Sequence, residues 1–131
     1  MSFSAYLDQK ILEKAFLGQD FQVAEHWCSL HTADPGKTGQ SEASGAPYAR
    51  RAVSQFTTVD SDGNAKRVRN VAVLLIQVPA GTYTHLGMWD ASNGGNFLGG
   101  GPLSSPATVN AGDFVIVREN DLSILQPKNG S

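Results

Sequence analysis

The chain has 131 residues, a formal net charge of −2 and 17% charged side chains, against roughly 25% in an ordinary soluble domain. That length suits one domain, and the weak negative charge, with no lysine-rich or arginine-rich tract, argues against nucleic-acid binding. The longest apolar run, Val71 to Val78, is interrupted by Gln77 and far too short to cross a bilayer, and the N-terminus lacks a secretory pattern, so synthesis in a cytoplasm is expected.

Leu7, Ile11, Leu12, Ala15 and Phe16 recur at helical spacing and predict an N-terminal helix within residues 1–18, with Ser4 as N-cap and Gly18 as the C-terminal stop. A helix of about three turns is marginal alone in water, so its apolar face must pack on the domain or on a neighbour. From residue 19 onward short apolar runs alternate with turn residues, which predicts a mainly β domain, a single β-sandwich or jelly-roll-like fold. Strands are expected near Glu25–His31, Tyr48–Val53, Val71–Gln77, His85–Asp90, Asn96–Leu98, Phe114–Arg118 and Leu122–Leu125.

Turns are expected at Asp34-Pro35-Gly36, Asp62-Gly63-Asn64, Pro79-Ala80-Gly81, Asn93-Gly94-Gly95 and Ala111-Gly112-Asp113. Gly99-Gly100-Gly101 reads as a bend or bulge between strands. The small, polar stretch from Gly36 to Pro47 and the segment Met1 to Ser4 offer little to bury, so both are expected to be ordered mainly by a partner. Val71 to Val78 is apolar on both alternating faces, the pattern of a central strand covered on both sides, and the scarcity of charge points to surface hidden against other chains.

The residues supply no catalytic constellation, and no cofactor or metal is expected. His26 and Cys28 would share one face of a strand while His31 points to the other, and no second Cys/His cluster completes a tetrahedral zinc site. The lone Cys28 cannot form an intrachain disulfide and is expected to be buried. Asp60 and Asp62 fall at a hairpin turn, where aspartate serves the backbone rather than a carboxylate pair for glycoside hydrolysis.

Several side chains are candidates for holding chain to chain or loop to core. Tyr48 and Arg50 lie on one side of a predicted strand, where phenol and guanidinium could fasten the preceding loop or reach a neighbouring subunit. Lys66, Arg67 and Arg69 form an alternating basic edge, either solvated or salt-bridged to an acidic patch on a partner. His85 and Trp89 share a strand face with Gly87, which leaves room for a close ring or backbone. Trp27, Trp89 and Tyr83 could alternatively be stacking platforms of a carbohydrate-binding module.

Separated motifs taken in order resemble small phage virion proteins commonly labelled tail fibre proteins. They are Tyr6-Leu7-x-x-Lys10-Ile11-Leu12, Leu30-His31-Thr32-Ala33-Asp34-Pro35, Gly45-x-x-Tyr48-Ala49-Arg50, Thr84-His85-Leu86-Gly87-Met88-Trp89-Asp90-Ala91, the Gly94–Leu98 segment, Leu103, and Val109-x-x-Gly112-Asp113. The likeness runs from about Tyr6 to Val117; His26-Trp27-Cys28 and the tail from Asn120 depart from it. The resemblance implies a non-enzymatic virion component made in a host bacterial cytoplasm. Its partners would be other virion proteins of the tail or of the capsid, where it would act as a cement or decoration subunit, while the scarcity of charge and the two-sided apolar run Val71 to Val78 predict association with its own copies, as a trimer or hexamer first and a dimer next.

Overall fold

The computed structural model of the chain describes residues 2–62, 65–118 and 123–125. A short strand β1 (Ser2–Phe3) leads into helix α1 (Ala5–Leu17). The Ser4 hydroxyl accepts the Leu7 N–H at 3.0 Å, and Gly18 at φ 70° ends the helix in the left-handed conformation, both caps falling at the expected residues. Residues 2–4 do not belong to the helix, however: Ser2 and Phe3 pair with Gly100 and Gly99, Ser4 donates its N–H to the Leu98 carbonyl, and Phe3 and Ser4 are buried. Of the segment Met1 to Ser4, residues 2–4 are thus held by contacts within the chain, and Met1 lies outside the described residues. The helix in turn is not covered along its predicted face. Tyr6 and Leu7 pack against the core, whereas Leu12, Phe16 and Leu17 stand in solvent.

The rest is built of antiparallel strands: β2 (Trp27–His31), β3 (Arg51–Ala52), β4 (Asp60–Asp62), β5 (Ala65–Arg69), β6 (Leu74–Gln77), β7 (Gly81–Trp89), β8 (Phe97–Val109), β9 (Phe114–Val117) and β10 (Ser123–Leu125). The largest sheet has the order β1-β8-β7-β2-β3, a second β10-β5-β4, and a third is the ribbon β6-β9. A mainly β fold with one helix near its N-terminus is therefore what the sequence pattern described. Turn residues 63–64, which carry the expected Asp62-Gly63-Asn64 hairpin, lie outside the described residues, as does Leu122.

The core forms between the large sheet and the ribbon. Strand alternation sends Cys28 and Leu30 of β2 and Leu86 and Met88 of β7 to one side. There they meet Leu74 and Ile76 of β6 and Val115 and Val117 of β9 in one apolar cluster. Each fully buried aliphatic side chain in it contributes roughly 1.5–3 kcal/mol.

Two expectations change here. Val71 to Val78 is not a central strand covered on both faces: only Leu74–Gln77 is strand, and Val71, Val73 and Leu75 remain about half exposed. Likewise Gly99-Gly100-Gly101 does not lie between strands but inside the thirteen-residue β8, beside an irregularity of the β7–β8 pairing in which Met88 faces Gly99 and Trp89 faces Phe97. Glycine is required at position 100 because Pro35 packs on the strand there, so that a Cβ at Gly100 would sit 2.5 Å from Pro35 Cγ.

Candidate functional site

The second face of the large sheet carries Ser29 and His31 of β2, Gly87 and Trp89 of β7, and Phe97 of β8. It is roofed by the loop that follows Asp34. That loop opens on an Asx turn in which Asp34 Oδ1 accepts the Gly36 N–H at 2.8 Å. It is then tied down by hydrogen bonds from Thr32 N to Ser41 O (3.0 Å) and from Ala43 N to Leu30 O (2.8 Å). Gly39 passes directly over the indole: a Cβ there would lie 2.6 Å from Trp89 Cζ2, and its φ of 82° also favours glycine. Pro35, Gly39 and Ala43 are buried. The stretch from Gly36 to Pro47 is therefore a surface loop that the chain itself holds at Gly39, Glu42 and Ala43, with most of its other residues exposed.

The strongest anchor is Glu42. Its carboxylate accepts hydrogen bonds from Arg50 Nε (2.8 Å, to Oε2), Arg50 Nη2 (2.8 Å, to Oε1) and the Tyr48 hydroxyl (2.6 Å, to Oε2). The fork geometry matches guanidinium to carboxylate. Arg50 Nη1 also donates to the carbonyls of Ala91 (2.9 Å) and Gly94 (2.8 Å), and the guanidinium carbon lies 3.9 Å from the centre of the Trp89 ring. With only 7% of its side chain exposed, Arg50 joins the loop, the turn after β7 and the indole in one clasp. Tyr48 and Arg50 meet there although residues 48–50 are not strand. Glu42 had escaped the sequence reading. Its signal was being the only acidic residue between Asp34 and Asp60.

A second network runs beneath. His31 Nδ1 faces the Gln40 carbonyl at 2.7 Å and Nε2 faces the Ser29 hydroxyl at 2.7 Å, while Trp89 Nε1–H donates to Ser29 Oγ at 2.9 Å. A carbonyl can only accept, so Nδ1 carries the proton and the Ser29 hydroxyl donates to Nε2. Every polar atom is then satisfied with His31 neutral. Gly87 makes this possible, since a Cβ there would lie 2.6 Å from His31 Nε2.

Burial lowers the His31 pKa below 6.5, and it does the same to half-buried His26. For Glu42 burial pushes upward, but the bonds from Arg50 and Tyr48 outweigh it and the net pKa falls below the ordinary carboxylate value. Burial and the Glu42 contact together raise the Tyr48 phenol, and burial raises the Cys28 thiol to about 12, so both stay protonated. A folded-state pKa below the unfolded one gives stability that is complete above the unfolded value and is lost as pH falls through the folded value. Acidification is thus expected to lower the thermal midpoint in two stages, the first below 6.5 from the histidines and the second below 4.5 from Glu42. Midpoints measured from pH 8 to pH 3 check this, and a flat profile would contradict it.

The remaining candidates lie elsewhere. Lys66, Arg67 and Arg69 sit on β5, the middle strand of its sheet and not an edge. Asp60 takes both arginines, Arg67 Nε at 2.9 Å and Arg69 Nη2 at 2.7 Å, and Lys66 Nζ donates to Ser61 Oγ at 2.8 Å. His85 stands opposite His31 in the β2–β7 pairing, with its Nδ1 2.7 Å from Thr84 Oγ1. Of the three rings proposed as sugar platforms, Trp89 and Tyr83 are buried and Trp27 is half-buried, its Nε1–H donating to Glu25. Cys28 faces the core, His31 the opposite side, and His26 lies outside the strand with its ring 5.1 Å from that of Phe56.

No curated protein matches the chain. Among protein families, residues 2–125 match the one described as Podophage GP4 fiber I protein gp80. That span takes in the helix, the core strands, the clasp and the ribbon, and the chain therefore belongs to this phage fibre family.

Proposed function

We propose that the chain is a non-enzymatic structural subunit of the tail fibre apparatus, folded as one domain in the host cytoplasm and installed on the particle by contacts with its own copies and with other virion proteins. Membership of a phage fibre family over residues 2–125 carries the reading, since fibre proteins are virion components. The physical features agree with it. The charged groups best placed for chemistry are spent on holding the molecule together: Arg50 on Glu42, and Arg67 and Arg69 on Asp60. Apolar side chains, in contrast, are left in water at the end of α1 and on the β6–β9 ribbon, as expected of a subunit that finishes burying its surface in an assembly. Closed cyclic assembly, as a trimer or hexamer, is the form such a subunit would take.

Quantitative mass spectrometry of purified virions tests this reading. The chain should be present at several copies per particle, in fixed ratio to the other tail proteins. Its absence from washed virions would overturn the proposal.

A further inference from the structure

The turn after β7 carries Asn93-Gly94-Gly95. Asn93 is exposed, and among the described residues its side-chain amide and the Gly94 N–H have no hydrogen-bond partner. Nothing lies within 4 Å of the place a Gly94 Cβ would take, so the approach to that peptide is open. Gly94 and Gly95, at φ 63° and 75°, are the residue type with the widest choice of backbone angles. The Gly94 nitrogen can therefore close a five-membered ring on Asn93 Cγ, an intramolecular attack that proximity favours strongly. The other described asparagines each lack one of these features. Asn70 is buried, with Nδ2 bonded to the Ala72 and Arg118 carbonyls. Asn96 Nδ2 is held by Asp90 at 3.0 Å, and the buried Phe97 follows it. Asn110 is exposed, but the methyl of Ala111 stands next to the nitrogen that would attack.

We infer that Asn93 is a site of self-modification by deamidation, and that its product loosens the Arg50 clasp. The Gly94 nitrogen gives up its proton and bonds to Asn93 Cγ, the Cγ–Nδ2 bond breaks, and the side-chain nitrogen leaves as ammonia. Water then opens the cyclic imide at one of its two carbonyls, and the Gly94 nitrogen regains a proton. One water is consumed, one ammonia is released, and nothing is oxidised or reduced. Opening at the side-chain carbonyl leaves an ordinary aspartate. Opening at the main-chain carbonyl leaves an isoaspartate, in which the chain runs through the former side chain and is longer by one methylene, about 1.5 Å. The turn has no slack to absorb that length. Its ends are fixed, the Asp90 N–H donating to the Asn96 carbonyl at 3.2 Å and Asp90 Oδ1 accepting the Asn96 N–H at 2.6 Å. Gly95 is pressed onto Asp90 and Ala91, where a Cβ would lie 2.5 Å from Asp90 Oδ1. The group displaced is then the Gly94 carbonyl, which accepts from Arg50 Nη1 at 2.8 Å, and the enclosed guanidinium loses an acceptor.

Mass spectrometry with fragment mapping, on folded protein held for days to weeks in mildly alkaline buffer, tests the inference. Asn93 should gain one mass unit about tenfold faster than Asn96 or Asn110, at a rate close to its rate in protein unfolded by urea, and fragmentation should place an isoaspartyl linkage at position 93. The fraction modified there, separated by its added charge, should melt several degrees below fresh protein. Asn93→Asp, which adds the charge without lengthening the chain, should melt as wild type does. Asn93 reacting no faster than Asn96 and Asn110, or far more slowly folded than unfolded, would show that the turn protects it and would overturn the inference. An isoaspartyl fraction that melts with fresh protein would overturn the link to the clasp.

Discussion

Trp89→Ala is expected to destabilise the protein by about 3 to 5 kcal/mol, the usual cost of emptying a buried aromatic site. Trp89 is 9% exposed. Its ring is packed 5.1 Å from that of Phe97, lies under the Arg50 guanidinium and holds Gly39 against its edge. Removing it takes away the floor of the loop, the cation–π contact and the donor to Ser29 in one step. The loss is a large part of the roughly 5 to 15 kcal/mol that holds a domain folded, and it should appear as a fall in thermal midpoint on the order of 10 °C or more. A midpoint within a degree or two of wild type would mean that the indole is not the support on which the loop rests.

Glu42→Ala is expected to cost about 3 kcal/mol. The reason is less the lost attraction than the charge it strands: Arg50 would keep its two bonds to the Ala91 and Gly94 carbonyls but lose its carboxylate while almost wholly enclosed. Glu42→Gln retains an acceptor of nearly the same shape and should lose clearly less. Urea unfolding of the two variants beside wild type measures the difference. Hydrogen exchange should show the amides of Gly39 and Ala43 losing protection in Glu42→Ala, because the loop is released locally as well as destabilised globally. Equal stability of Glu42→Ala and wild type would show that the clasp contributes nothing net.

The parts of this fold that sequence reading reached are those decided locally. Ser4 and Gly18 bound the helix because capping is a matter of the first and last turn. The strands around Leu30, Leu86–Trp89 and Phe114–Val117 follow from alternation and turn residues within a few positions. The features it missed are decided at long range. Small residues from Gly36 to Pro47 have the composition of a free loop, yet Gly39 is small because an indole fifty residues further along the chain occupies the space a side chain would take. Gly99 to Gly101, with Pro102 following, have the composition of a break, but they lie inside β8 near its start, where Pro35 rests on Gly100. Pro102 and Pro106 are tolerated since they lie beyond the pairing with β1, where that edge of β8 has no partner strand among the described residues.

The candidate site divides in the same way. That Tyr48 and Arg50 act together was legible from their spacing and chemistry, whereas their acceptor was not, because Glu42 reaches them through a fold of the loop. The two-sided apolar character of Val71 to Val78 was legible too. What pattern alone could not say is which side the chain itself covers, and the structure shows that Leu74 and Ile76 are enclosed while Val73 and Leu75 are not.

Gold-labelled antibody against the chain, imaged on intact purified virions, tests the assignment to the tail fibre apparatus most directly. Label confined to the fibres, at the same place on each, is the predicted result. Label distributed over the head shell would instead make the chain a capsid cement or decoration subunit and contradict the fibre assignment.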